Sequence, residues 1–80
     1  MHSYHFRWGK DIFIMRANWG NAEDKIMVNG QQIYGTVGEY NHSPRKAAKC
    51  ILEEAAIAEG LNPLDPTIQS KIEKILNGLD

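Results

Sequence analysis

Eighty residues with 42% hydrophobic and 24% charged side chains describe one globular domain, too short for two cores and too apolar for a disordered chain. A formal net charge of −1 argues against a generally basic polyanion binder. One cysteine, Cys50, rules out an internal disulfide and fits a reducing compartment.

The charge is unevenly spread. Residues 1–52 carry seven cations against four acids, whereas residues 53–80 carry two cations against six acids. The opening MHSYHFRWGKD alternates polar and aromatic residues and lacks the apolar run of a secretory leader. No apolar stretch approaches the roughly 18 residues that span a bilayer, so a cytoplasmic protein without membrane contact is expected.

In chain order, residues 2–8 place His2, Tyr4, Phe6 and Trp8 on one face and Ser3, His5 and Arg7 on the other, the period of a strand. Gly9-Lys10 is a turn, and DIFIMRA from Asp11 to about Ala17 is a second strand. NWGNAED over 18–24 reads as loop. Asn29-Gly30 supplies the positive φ angles of a type I′ turn, which predicts a hairpin of strands 25–28 and 31–37. Ser43 is a favourable N-cap and Pro44 a favourable first residue for a helix over 43–59 that stops at Gly60. Asp65-Pro66 repeats that start for a helix over 65–77, whose Ile68, Ile72, Ile75, Leu76 and Leu79 share one face. The expected fold is α+β: an antiparallel meander of three to four strands followed by two helices packed on one sheet face.

The strand pattern assigns Tyr4, Phe6 and Trp8 to the core with Ile12, Ile14, Ile26, Val28, Ile33 and Val37. By the same phase Phe13, Met15, Met27, Tyr34 and Tyr40 point outward. Ile12 to Met15 is apolar on both faces, so this alternation is not clean. An outward set of Met and aromatic residues is either tolerated surface or a contact patch for a protein partner or a second copy of the chain. On the first helix, Ala47, Ala48, Ile51, Leu52, Ala55 and Ala58 form the apolar stripe. Cys50 and Ile57 fall off that stripe and are expected against the second helix, or else against a partner.

Catalytic and metal chemistry find little to work with. Ser3, Ser43 and Ser70 lie in no nucleophile context, and His2 and His5 alternate across a strand. Cys50 and His42 lack a second pair of zinc ligands. Neither enzymatic activity nor a cofactor is implied.

Two resemblances bear on function. Ser43-Pro44-Arg45-Lys46-Ala47-Ala48-Lys49 opens an Ala-rich helix after a hairpin and a glycine-containing strand end. With VNGQQIYGTVGEYNHSPRKAAK, residues 28–52 thereby resemble the second half of a double-stranded-RNA-binding domain. That resemblance implies phosphate contacts from Arg45, Lys46 and Lys49, although Pro44 interrupts the family motif and the family's first helix has no counterpart. The alternative for these cations is an ordinary solvated face. In size and outline the chain is also similar to small phage-encoded anti-CRISPR inhibitors. This second resemblance implies a stoichiometric, non-catalytic protein in the host cytoplasm that blocks a nucleic-acid-binding effector complex. Its acids Glu53, Glu54, Glu59 and Asp65 would then face a basic groove on that partner.

Overall fold

The computed structural model describes residues 2–79, with side chains for all of these except Ile33 and Tyr34. Strands β1 (His2–Trp8), β2 (Asp11–Ala17), β3 (Lys25–Val28) and β4 (Gln31–Thr36) form one antiparallel sheet in the order β1-β2-β3-β4. A short 3-10 helix (Val37–Tyr40) leads to α1 (Pro44–Ala58) and α2 (Pro66–Asn77). The α+β meander followed by two helices is therefore the observed architecture.

The turns form for the reasons their residues supply. Gly9 has φ 59° between β1 and β2, and Asn29 and Gly30 have φ 51° and 81° between β3 and β4, values a mirror-image hairpin turn requires. Asn29 also ties that tip to β2, donating to the Ile12 carbonyl and accepting from the Ile14 N–H at 2.8 Å. In β4 the register shifts opposite Lys25–Met27, where Gly35 adopts φ 83°. A Cβ there would meet only the movable end of the exposed Glu39 side chain, so it is the positive φ that calls for glycine.

The β1–β2 turn overturns one part of the expected core. A two-residue turn between Trp8 and Asp11 fixes the pairs Phe6↔Phe13, Tyr4↔Met15 and His2↔Ala17. Directly paired residues lie on the same face of a sheet. Because Phe6 and Trp8 are buried, Phe13, Met15 and Ala17 must turn inward too. Met15 is fully buried, and the half-buried Phe13 ring packs 5.4 Å from that of Phe6. Ile12 and Ile14, expected in the core, are 54% and 39% exposed on the opposite face. Backbone register decides the matter, because sliding by one residue would invert every pair in the hairpin.

The helices cover the inward face. Ser43 Oγ accepts from the Lys46 N–H at 3.3 Å and Asp65 Oδ1 from the Thr67 N–H at 2.8 Å, so both helices start where their caps and prolines place them. Gly60, at φ 79°, ends the first helix as expected. Ala47, Ala48, Ile51, Leu52 and Ala56 of α1 are buried, and small alanines let the helix approach the strands closely. Ile72 and Leu76 of α2 complete the core, with Ile68, Ile75 and Leu79 packed at its margin.

Trp8 lies where β1, α1 and α2 meet. It is fully buried, its Nε1–H donates to Glu59 Oε2 at 3.1 Å, and Lys71 Nζ stands 4.3 Å from the ring centroid. Burying an indole removes roughly 150–250 Å² from water, worth about 4–6 kcal/mol before chain entropy is counted.

The inverted face of β2 has a direct consequence for mutagenesis. Met15→Ala is expected to lower unfolding free energy by about 2–5 kcal/mol, and Ile14→Ala by less than about 1 kcal/mol. Urea denaturation followed by tryptophan fluorescence measures both; a larger loss for Ile14→Ala would contradict the register.

Candidate binding surfaces

The residues singled out from sequence separate into three regions. Of the sheet set, Met15 and Phe13 belong to the core and leave the surface patch. Tyr40 is not on a strand face; it sits in the 3-10 helix, half-buried against the core and beside Cys50. The Tyr34 side chain lies outside the described residues. Met27 alone keeps its expected place, half-buried on the open face between its paired neighbours Arg16 and Gln32.

The open face therefore has a different chemistry from the one the sequence pattern implied. Exposed Ser3, His5 and Arg7 stand on β1, Ile12, Ile14 and Arg16 on β2, and Lys25 on β3. A groove of about 590 Å³ runs along it beside Ile14, Arg16, Lys25 and Met27. Asp24 is the one acid lining the groove, and its Oδ2 accepts from the Asn18 N–H at 2.7 Å. Arg7, Arg16 and Lys25 look unrelated in sequence, at spacings of nine residues each. Only the hairpin register brings them together, and the two-residue turn at Gly9-Lys10 was the available signal.

The start of α1 is the second region. Arg45, Lys46 and Lys49 are exposed, as their helical arc predicts. Arg45, however, is engaged: Nη2 meets Glu73 Oε2 at 2.6 Å, and Nη1 donates to Asn77 Oδ1 at 3.0 Å. The guanidinium clips α1 to α2 and offsets the poor placement of a cation at a helix start. A phosphate would have to displace Glu73, which withdraws Arg45 from the phosphate-facing trio.

The third region is the second half of α1 and the connector to α2. From Cys50 to Ser70 there is no lysine or arginine, and Glu53, Glu54, Glu59 and Asp65 all fall in this segment. Glu54, Glu59 and Asp65 are exposed and Glu53 is half-buried. Two of these acids also have structural duties, Glu59 on Trp8 and Asp65 as the cap of α2. Ile57, Leu61 and Leu64 are exposed here by 59%, 37% and 71%. Ile57 was expected against the second helix and faces water instead. Leu61 and Leu64 carried no periodic signal, because they lie in a Pro- and Asn-containing connector.

Cys50 also differs from expectation. It packs beside Tyr40 rather than α2, and burial, followed by the nearby Glu54 and Glu53 carboxylates, pushes its thiol pKa up. A hydrogen bond with Tyr40 acts in the other direction but is outweighed. Burial is likewise the largest reason that the Tyr40 phenol is raised, with the Cys50 charge next. Such a thiol stays protonated and is a poor nucleophile. Among the described residues no three His, Cys, Asp or Glu side chains gather as a metal site. Nor is any helix among the described residues long and apolar enough to cross a membrane.

Comparison with protein-family models, with curated proteins and with solved structures gave no match.

Two measurements follow. Alkylation of Cys50 by iodoacetamide is expected to reach half its maximal rate at a pH above that of a free cysteine peptide; an inflection below the peptide's would contradict the buried-thiol geometry. Arg45→Ala is expected to cost no more than about 0.5–1 kcal/mol, since both partners are about half exposed and screened by solvent. A thermal melt in low and high salt checks this, with the difference from wild type shrinking as salt rises.

Proposed function

We propose that this chain is a small non-catalytic binding protein that acts stoichiometrically through a protein interface. The observation that carries the reading is the coincidence at the α1–α2 end. Among the described residues, three of the five large, well-exposed apolar side chains, Ile57, Leu61 and Leu64, sit in the stretch of sequence free of lysine and arginine that also holds Glu53, Glu54, Glu59 and Asp65. Exposed apolar groups beside a surplus of one sign of charge are a feature of binding surfaces, and the acids favour a basic partner, with Lys71 over Trp8 the cation that stands beside Glu59. The half-buried Cys50, whose thiol pKa is raised by desolvation, favours a binding role over nucleophilic chemistry.

A partner with a basic, partly apolar groove is the kind of surface that nucleic-acid-handling effectors use for their substrate. Occupying such a groove would exclude the nucleic acid without any bond being broken. This is the mode of action that the likeness to small phage-encoded defence inhibitors implies. The competing phosphate-contact reading for α1 has less support, because Arg45 is already bound to Glu73 and Asn77.

Titrating the protein into cleavage reactions of a panel of CRISPR-type effector nucleases tests the proposal. Inhibition of at least one effector should saturate near one equivalent, and Ile57→Asp/Leu64→Asp should weaken it at least tenfold, about 1.4 kcal/mol. Undiminished cleavage across the panel at tenfold excess would count against the inhibitor reading. Inhibition that survives the double substitution would remove this end as the interface.

A further inference from the structure

The open face of the sheet is a separate surface of opposite charge, and we infer that it binds the phosphate backbone of a nucleic-acid duplex. Arg7, Arg16 and Lys25 all stand exposed on that face of β1, β2 and β3, and none of the described outward strand residues is an acid. Since the chain carries −1 overall, these three cations leave −4 for the remainder, so the molecule is strongly polarised despite its modest net charge.

The register turns the three cations into a line. Arg7 is opposite Ile12 and Arg16 is opposite Ser3, so the two cations are offset by four residues, roughly 14 Å at about 3.4 Å per residue. Lys25 lies two residues past Met27, the partner of Arg16, roughly 7 Å further in the same direction. The line therefore crosses three adjacent strands diagonally over roughly 20 Å. Phosphates of one duplex strand recur about every 3.4 Å along the helix axis, so a line of this length meets several of them. Ile12, Ile14 and Met27 flank it and offer apolar contact to sugars.

Charge distinguishes this occupant from the others. A second copy docked face to face would set one cationic line against another, which costs energy. A single strand would call for a platform of stacking rings, and His5 is the one aromatic ring among the described outward strand side chains. Asp24 is the one acid lining the groove, and its hydrogen bond from the Asn18 N–H engages it within the β2–β3 loop.

Fluorescence anisotropy with a labelled 16-base-pair DNA duplex of arbitrary sequence, its RNA counterpart and the corresponding single strand is the test. Three phosphate contacts give a slope of about −2.7 in log affinity against log salt, so duplex affinity should fall about 40-fold between 50 and 200 mM salt. Arg7→Gln, Arg16→Gln and Lys25→Gln should each reduce the slope by about 0.9, and the triple variant should abolish binding at 50 mM salt. Lys46→Gln/Lys49→Gln should leave it unchanged. These positions are all exposed, and a thermal melt of each variant confirms that the fold is retained. The inference is overturned if neither duplex binds at 100 µM protein in 50 mM salt. It is equally overturned if the single strand binds tenfold tighter than duplex, or if binding is lost with Lys46 and Lys49 but kept in the triple variant. None of these outcomes depends on the α1–α2 end, which nuclease inhibition tests separately.

Discussion

The burial of Trp8 is the interaction on which the rest of the structure leans. One indole at the end of β1 is sealed from water by both helices, and its only polar atom is satisfied by Glu59, the residue that caps the end of α1. Lys71 from α2 closes over the ring. A buried N–H without a partner would cost roughly 1–3 kcal/mol, so the Glu59 contact is a condition of placing Trp8 inside. In a chain this short the apolar core is small, and one aromatic contacting three elements supplies an unusual share of it.

Trp8 also controls the surface at a distance. Fixing its face fixes the face of Phe6, and the tight turn at Gly9-Lys10 passes that choice to Phe13, Met15 and Ala17. The same arithmetic expels Ile12 and Ile14 and aligns Arg16 with the outward side of its neighbours. Core packing and surface charge are thus two consequences of a single hairpin register. The open face is cationic because the bulky half of β2 was drawn to the inside.

The two ends of the molecule then differ in chemistry. The sheet presents arginine and lysine beside isoleucine, and the α1–α2 end presents glutamate and aspartate beside leucine and isoleucine. Among the described residues neither surface gathers a nucleophile, a base and a stabilising group. What both offer is contact: a surplus of one sign of charge beside exposed apolar groups.

Local chemistry was enough for the sequence to determine the elements. Caps such as Ser43-Pro44 and Asp65-Pro66, the Asn29-Gly30 turn and the apolar stripe of α2 act over a few residues, and each stands where its residues imply. The acidic, cation-free segment from Cys50 to Ser70 was equally readable, because it is continuous in the chain. What remained ambiguous was the phase of β2, where Ile12, Phe13, Ile14 and Met15 satisfy either face by hydrophobicity alone. Tertiary structure decided it through the pairing with β1, and with it the gathering of Arg7, Arg16 and Lys25 on one face. It also decided that Arg45 is a clip to Glu73 and that Cys50 rests on Tyr40, since these contacts join residues far apart in the chain. Periodicity reports which residues alternate; only packing against a neighbour reports which side is in.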